Sequence, residues 1–347
     1  MAIRGLIQKT GREEGAPEII MKPTILSRWI GISAAVAATF ISVAQTPSAP
    51  KTSGNPIIPG WYADPEVHIF NGRYYIYPTY SDAYEKQTFF EAFSSDDLIT
   101  WKSEGHILDF KDVPWSTNRA AWAPTIIERD GTYFYYFSAG DGAGIGVATS
   151  KSPTGPFKDA LGKPLIKEYH HGAQPIDANA FIDDDGQAYL YYGGWRHAIV
   201  VKLSKDMLHT EGEFKEITPA NYVEGPYMLK RNGTYYYMWS EGSWGDSSYG
   251  VAYARSKSPT GPFVREAKIL ESDMSVGKGA GHHSILKLPG KEEYYIVYHR
   301  RPLDETHPNH RAICIDRLYF EKDGSIRPVK ITKEGVEARP LQKKKKN

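Results

Sequence analysis

The chain has 347 residues, with 42 Lys and Arg against 41 Asp and Glu, so its formal net charge is only +1. This balance excludes the strongly basic surface by which proteins bind nucleic acid or anionic membranes. Cys314 is the only cysteine in the sequence, so no intramolecular disulfide can form, and its thiol is predicted to pack within a strand.

The N-terminal segment has the pattern of a secretory signal peptide. Basic residues precede an apolar run from Trp29 to Val43, and small residues end the run, as at a cleavage site. The run is too short and too rich in small residues to predict a membrane anchor. We expect residues 1–44 to be a signal peptide, with Met21 as an alternative start, and residues 45–54 to be a linker. The mature protein is then exported, to the periplasm or the extracellular space.

From residue 55 onward the sequence repeats one unit, which reads as a short strand, a turn and a tyrosine-rich strand. Asn-Gly and Asp-Gly between apolar strands are the strongest short-range hairpin signal, because both central residues of a type I′ turn need positive φ. The intervals between turn glycines are 47 to 59 residues, which suits a four-stranded blade. These glycines are Gly72, Gly131, Gly186, Gly233 and, more loosely, Gly290.

A second element of the repeat lies further along each unit. The octapeptide Ser-Lys-Ser-Pro-Thr-Gly-Pro-Phe begins at Ser150 and again at Ser256, two repeat lengths later. A two-sheet β-sandwich, the alternative all-β fold, predicts irregular spacing and no identical octapeptides. The sequence therefore predicts a five-bladed β-propeller over residues 55–339 and a basic tail at residues 340–347. Most of the 24 tyrosines are expected to pack between blades.

Ionisable residues open four of the five repeats. Equivalent positions of a repeat occupy equivalent places in space, so their side chains are predicted to surround one central channel. Each acidic residue alone has a structural interpretation, as a turn former or a strand-end carboxylate, and their joint register favours catalysis. Counting back eight or nine residues from each turn glycine gives Asp64, Ala123, Asp177, Glu224 and His282.

Carboxyl groups on opposite sides of a channel can hydrolyse a glycosidic bond with inversion. One must be protonated to donate to the leaving oxygen, and the other ionised to activate water, with the two ~6.5–9.5 Å apart. Asp64 and Glu224 come from the first and fourth blades, which suits this separation. The negative charge of Asp177, on the blade next to Glu224, is expected to raise the pKa of Glu224 and keep it protonated near neutral pH.

The sequences around these positions resemble those of glycoside hydrolase family 43. This resemblance implies a five-bladed propeller that hydrolyses arabinose- or xylose-containing polysaccharides with inversion. By the family pattern, Asp64 matches the general base, Asp177 the pKa modulator and orienter, and Glu224 the general acid. The matching segments are Tyr62-Ala-Asp64-Pro-Glu, Trp122-Ala-Pro124, Pro175-Ile-Asp177-Ala, Glu224-Gly-Pro226 and Gly279-Ala-Gly281-His282.

Four further residues are candidates for substrate binding. Trp61 and Trp122 stand beside the channel positions and are predicted to stack on a sugar ring, with packing between blades as the alternative. Arg300 or Arg301, on the fifth blade, is predicted to donate to sugar hydroxyls or to Asp64, with a structural pairing as the alternative.

His282 occupies the channel position of the fifth blade. In many members of the family that the chain resembles, the matching histidine faces a calcium ion, or only water, on the channel axis. Calcium prefers oxygen ligands, so a calcium ion here would be held largely through water and would have a structural or electrostatic role. The chemistry itself is expected to need no cofactor. The alternative is a hydrogen-bonded strand histidine, and His283 is predicted to point the other way, because neighbours on a strand alternate faces.

The function predicted is that of an inverting glycoside hydrolase acting on an oligo- or polysaccharide as a monomer. Family β-xylosidases often carry a second β-sandwich domain, for which this chain has no room, so an α-L-arabinofuranosidase is favoured over an endo-1,5-α-L-arabinanase or a β-xylosidase. A non-catalytic sugar-binding propeller would leave three convergent carboxylates unexplained. A retaining fructan hydrolase would have Asn-Asp-Pro, Arg-Asp-Pro and Glu-Cys-Pro where this chain has Ala-Asp-Pro, Ile-Asp-Ala and Glu-Gly-Pro.

Overall fold

A computed structural model describes residues 52–341. The predicted signal peptide, most of the linker and most of the basic tail lie outside the described residues. Within this range the helical content is three short 3₁₀ turns, Tyr84–Lys86, Phe110–Asp112 and His170–Gly172. No helix in the described range has the length and apolar character needed to span a bilayer.

The strands between residues 52 and 341 form five antiparallel sheets, and within each sheet neighbouring strands follow chain order. The first sheet contains β1 (Tyr62–Phe70), β2 (Arg73–Tyr80), β3 (Phe89–Ser95) and β4 (Lys102–Asp109). The second contains β5 (Ala121–Arg129), β6 (Thr132–Ala139), β7 (Gly144–Ser150) and β8 (Lys158–Asp159). The third contains β9 (Asn179–Ile182), β10 (Ala188–Tyr192), β11 (Ile199–Leu203) and β12 (Thr210–Glu216). The fourth contains β13 (Glu224–Arg231), β14 (Thr234–Glu241), β15 (Gly250–Ser256) and β16 (Ala267–Leu270), and the fifth β17 (Lys278–Lys287), β18 (Tyr294–Arg301) and β19 (Ala312–Leu318).

The first strand of each sheet lies innermost. β1 contacts β5, β5 contacts β9, β9 contacts β13, β13 contacts β17, and β17 contacts β1 again. These contacts close a ring of five blades, so the prediction of a five-bladed β-propeller is confirmed. Side chains at the ends of the five inner strands can therefore converge on one channel.

The turns between the first two strands of each blade have the predicted geometry in three cases. Both central residues have positive φ in Asn71-Gly72, Asp130-Gly131 and Asn232-Gly233, as a type I′ turn requires. In Asp185-Gly186 and Pro289-Gly290 only the glycine has positive φ.

Buried tyrosines join neighbouring blades, as expected from the sequence. The Tyr77 hydroxyl, on β2, donates to the carbonyl oxygen of Pro153 in the second blade at 2.8 Å. Tyr191, on β10, donates in the same way to Pro259 in the fourth blade at 2.7 Å. Both acceptors lie in the repeated octapeptide, so its two copies have the same structural task. Cys314 is buried in β19, also as predicted.

The segment before β1 closes the ring by pairing with the C-terminal part of the chain. Backbone N–H groups of Ser53, Gly54 and Asn55 donate to carbonyl oxygens of residues 333–336 at 2.8–2.9 Å. The Ile57 N–H donates to Ile313 on β19 at 2.9 Å. The last residues of the predicted linker are thus part of the propeller.

Candidate active site

At the mouth of the channel each blade has one residue with a left-handed backbone. The ladders of four blades shift register at this point, as in a β-bulge. Non-glycine residues with positive φ are strained and concentrate at functional sites. The left-handed residues of the five blades, in chain order, are Asp64 (φ 49°), Ala123 (38°), Asp177 (59°), Gly225 (63°) and His282 (37°).

The fourth blade departs from the register that the sequence suggested. The residue equivalent to Asp64 is Gly225, and Glu224 precedes it by one position. Glycine fits here because a β-carbon at Gly225 would lie only 3.2 Å from Cγ of His282 and 3.1 Å from Oγ of Ser240. The count of eight or nine residues from the turn concealed this offset.

Side chains of the preceding blade anchor these left-handed residues. The Asp177 N–H donates to Ser138 Oγ at 2.9 Å, and the His282 N–H donates to Ser240 Oγ at 3.1 Å. In the fourth blade the acceptor is a carboxylate, because the Gly225 N–H donates to Asp177 Oδ2 at 3.1 Å. Asp177 therefore fixes the backbone immediately after Glu224.

The three predicted acidic residues are brought together in one cavity of about 390 Å³ at this end of the channel. Asp64 and Asp177 are buried, and Glu224 is partly exposed to the cavity. The cavity is lined by Asp64, Tyr84, Trp122, Gln174, Ile176, Asp177, Trp195, Arg196, Val223, Glu224, Trp244, His282, Asn309 and Arg311.

Asp64 is surrounded by cationic and imidazole nitrogen atoms. Arg311 Nη1 donates to Asp64 Oδ1 at 3.1 Å. The Nδ1 atoms of His299 and His282 lie 3.2 and 3.3 Å from the same oxygen. Burial raises the pKa of Asp64, but the charge of Arg311 and the two imidazoles hold this pKa well below its ordinary value. Asp64 is therefore ionised, as a general base must be.

Glu224 and Asp177 have the opposite protonation tendency. Burial raises the pKa of Glu224, and the charge of Asp64 adds to this rise, while the Tyr249 hydroxyl, which donates to Oε1 at 2.8 Å, opposes it. Burial also raises the pKa of Asp177 well above its ordinary value, and the charges of Glu224 and Asp64 add to this rise. Because the charges of the two carboxyl groups oppose each other, they titrate as a pair. The sequence had assigned a raised pKa to Glu224 alone.

The two neighbouring histidines face different surroundings. His282 lines the cavity, and burial lowers its pKa, so its imidazole is neutral. His283 is buried with Nε2 3.3 Å from Met238 Sδ, so it points away from the cavity, as predicted. Among residues 52–341, no group of three or more His, Cys, Asp or Glu side chains is arranged to hold a metal ion. A calcium ion near His282 would need water molecules to supply the oxygen ligands that calcium prefers. The calcium site stays a prediction.

Of the four predicted substrate-binding residues, only Trp122 lines the cavity. Trp61 stacks on His310 of the fifth blade, with ring centroids 4.6 Å apart, which corresponds to the packing between blades given as the alternative. Arg300 donates to the Thr332 carbonyl at 2.8 Å, and Arg301 donates to the Pro308 carbonyl at 3.0 Å. Backbone oxygens occupy these buried guanidinium groups, which corresponds to the structural pairing given as the alternative.

The residues that sequence reasoning missed come mostly from loops at the channel mouth. Arg311, directly before β19, replaces Arg300 and Arg301 as the partner of Asp64. Trp244 lies between two cations, with the guanidinium carbons of Arg301 and Arg311 each 5.8 Å from its ring centroid. The sequence could have indicated Trp244, because it is a tryptophan in a long loop beside an active-site strand. No comparable sequence pattern indicated Arg311.

Comparison with known proteins is consistent with this geometry. A family model described as "Glycosyl hydrolases family 43" matches residues 53–326. An Aspergillus niger protein named "Beta-D-galactofuranosidase xynD" is 54% identical over 311 residues, covering 86% of this chain and 91% of its own length. A Humicola insolens protein named "Xylosidase/arabinosidase 43A" is 30% identical over 338 residues, covering 78% and 98%.

Solved structures show the same similarity. An α-L-arabinofuranosidase from Clostridium thermocellum has 35% identity and a TM-score of 0.67, covering 79% of this chain and 95% of its own. A Bacillus subtilis arabinoxylan arabinofuranohydrolase, solved in complex with cellotetraose, has 30% identity and a TM-score of 0.73, covering 83% and 71%.

Proposed function

The chain belongs to glycosyl hydrolase family 43 and is a glycosidase, and from this premise we propose that it releases terminal α-L-arabinofuranosyl residues with inversion. The observation that carries the proposal is that Asp64 and Glu224 line one cavity and their pKa values are shifted in opposite directions. A carboxylate held ionised by Arg311 can act as a base, and a carboxyl group whose pKa is raised can act as an acid.

The proposed reaction is a single displacement at the anomeric carbon. Asp64 takes a proton from a water molecule as the oxygen of that water forms a bond to the anomeric carbon. The glycosidic bond breaks, and the proton of Glu224 passes to the leaving oxygen. Because water attacks from the side opposite the leaving group, the anomeric configuration inverts. Asp177 supports the step by accepting the Gly225 N–H, and the mutual repulsion of its charge and that of Glu224 opposes ionisation of both carboxyl groups.

The size of the cavity supports attack at chain ends. Its volume of about 390 Å³ is near the lower limit of the ~300–1,000 Å³ typical of ligand pockets. Such a space suits one sugar residue and part of the next, rather than a polymer passing through. This favours an exo-acting furanosidase over an endo-arabinanase.

A β-D-galactofuranosidase is the second candidate, because the relative with 54% identity has that name. An α-L-arabinofuranosyl and a β-D-galactofuranosyl ring carry their ring substituents in the same arrangement. They differ by one hydroxymethyl group on the exocyclic carbon. Both substrates would therefore be hydrolysed by the same carboxylates. The space beside the exocyclic carbon determines which of the two substrates fits.

A panel of substrates tests the proposal. The 4-nitrophenyl α-L-arabinofuranoside, β-D-galactofuranoside and β-D-xylopyranoside are compared, together with the viscosity of linear arabinan. We expect the highest kcat/KM on the arabinofuranoside and no early fall in viscosity. Proton NMR of the first product, before mutarotation, should show the inverted anomer. A retained anomer would overturn the mechanism, and a preference for galactofuranoside would transfer the assignment to the second candidate.

A further inference from the structure

Two exposed aromatic side chains lie side by side at the rim of the cavity. Trp195 is 61% exposed and Tyr169 is 41% exposed. Their ring centroids are 5.2 Å apart, with an interplanar angle of 33°. Trp195 lines the cavity itself. Exposing a tryptophan to water forgoes the favourable burial of a large apolar surface, which is typical of a binding site.

The backbone beneath Trp195 holds the ring in this position. Trp195 (φ 55°) and Arg196 (φ 71°) are consecutive non-glycine residues in the left-handed region. The Arg196 N–H donates to the Val223 carbonyl at 3.2 Å, and the His197 N–H donates to the Gly194 carbonyl at 3.2 Å. Strain of this kind persists only where the surrounding structure enforces it, and it concentrates at functional sites.

The segment that carries Tyr169 is also fixed. The His170 ring stacks on Phe214 of β12 with a centroid distance of 3.6 Å. His171 Nε2 lies 2.8 Å from the carbonyl oxygen of Phe214. The two rings therefore form a preorganised surface, which we call the aromatic pair, Tyr169 and Trp195.

The aromatic pair lies on the side of the cavity where the leaving group departs. The Arg196 N–H is bonded to the carbonyl of Val223, the residue directly before Glu224. Glu224 gives its proton to the leaving oxygen, so the sugar attached to that oxygen must lie beside Glu224. The attacking water lies beside Asp64 instead.

We propose that the aromatic pair binds the first pyranose residue of the leaving polysaccharide, with Arg196 donating to its hydroxyl groups. The inference rests on the proposed function, because it takes Glu224 as the proton donor. The flat C–H face of a β-linked pyranose matches the face of Trp195, and Tyr169 extends the contact along the chain. Binding energy gained there is used only by substrates that carry a sugar in the leaving group.

Measuring kcat/KM of the wild type and of Trp195→Ala on two substrates tests this assignment. α-L-Arabinofuranosyl fluoride has no leaving sugar, whereas arabinofuranosyl-xylotriose carries a pyranose chain. In Trp195→Ala, kcat/KM on the xylotriose derivative should fall about tenfold, the loss expected for one aromatic contact. Hydrolysis of the fluoride should fall much less than that of the xylotriose derivative, and Trp195→Phe should recover part of the loss.

Tyr319→Ala is the matched control, because Tyr319 is 46% exposed and packs against Arg317 and Arg327, outside the cavity. It should affect neither substrate. Equal losses on both substrates in Trp195→Ala, or no loss on either, would overturn the assignment. A wild-type protein that hydrolyses neither arabinofuranoside would contradict the proposed function instead.

Calorimetric titration with xylotriose tests the aromatic pair without turnover. We expect the wild type and Tyr319→Ala to bind the trisaccharide, and Trp195→Ala to bind it about tenfold more weakly. Equal binding by the wild type and Trp195→Ala, or no binding by the wild type, would contradict a pyranose site there even if furanosidase activity is present.

Discussion

Replacing Arg311 with methionine should move the acid limb of the pH–rate profile toward neutral pH. Arg311 is the only guanidinium in contact with Asp64 among residues 52–341, at 3.1 Å. Removing one partner of a buried ion pair costs about 3–5 kcal/mol. One pKa unit corresponds to about 1.4 kcal/mol, so the pKa of Asp64 would rise by about two to four units if the whole loss fell on its ionised form. His282 and His299 remain beside Asp64, so we expect about two.

The assay is kcat/KM on 4-nitrophenyl α-L-arabinofuranoside from pH 3 to pH 9. Asp64 must be ionised to activate water, so activity of Arg311→Met should be lost at a higher pH than in the wild type. Arg301→Met is the matched control, because Arg301 is also buried but donates to carbonyl oxygens of Pro308 and Trp244. Its acid limb should not move. An unmoved limb in a folded Arg311→Met protein, or an equal shift in the control, would refute the reasoning.

The same substitution has a stability signature of known sign. The pKa of Asp64 is depressed in the folded protein, so its stabilising contribution is present above the unfolded pKa of about 3.9 and is lost as the pH falls further. Arg311→Met removes this contribution. Its deficit in unfolding free energy should therefore be larger at pH 7 than at about pH 2.5, well below the unfolded pKa, as measured by urea denaturation. A deficit that grows toward acid pH would contradict the ion pair.

Three further substitutions test the proton donor. Glu224→Gln should lower activity on natural glycosides by several orders of magnitude but much less on activated aryl glycosides, and equal losses would contradict its role as acid. Asp177→Asn can still accept the Gly225 N–H but removes a negative charge, so the alkaline limb should move to lower pH. A uniformly lower rate with an unmoved limb would leave Asp177 only an orienting role. Tyr249→Phe removes a hydrogen bond that lowers the pKa of Glu224, so the alkaline limb should move to higher pH, and a downward shift would contradict this assignment.

The sequence was sufficient to predict the ring and its three carboxyl groups, because both depend on local patterns. Each Asn-Gly or Asp-Gly turn marks the end of an inner strand, and the position of Asp64 or Asp177 follows from counting along that strand. The count was less secure in the fourth blade. Two adjacent residues, Glu224 and Gly225, satisfied the spacing, and only the backbone geometry shows that the glycine takes the left-handed position.

The partners of the carboxyl groups could not be predicted, because they depend on how loops of different blades meet. Arg300 or Arg301 was predicted to lie near the channel from its place on the fifth blade, yet neighbouring loop carbonyls bind both guanidinium groups. Arg311 reaches Asp64 because the chain between β18 and β19 returns to the channel mouth. Tyr249 approaches Glu224 in a similar way, from the end of a long loop. No repeat pattern encodes these contacts.

The pairing of the segment before β1 with the C-terminal part of the chain has a consequence for biosynthesis. The Asn55 side chain donates to the backbone carbonyls of Ile315 and Thr332. Asn55 is among the first residues of the propeller to be synthesised, and its partners are among the last. Each blade can form as it emerges, since its strands pair with immediate neighbours, whereas the seam between the first and fifth blades forms only when translation of the propeller is nearly complete. Joining residues this far apart in the chain carries a large entropic cost, so closure of the seam is expected to come late in folding. Until then the growing chain exposes the apolar face of the first blade that packs against the fifth, and such exposed apolar surface makes a partly folded chain prone to aggregation.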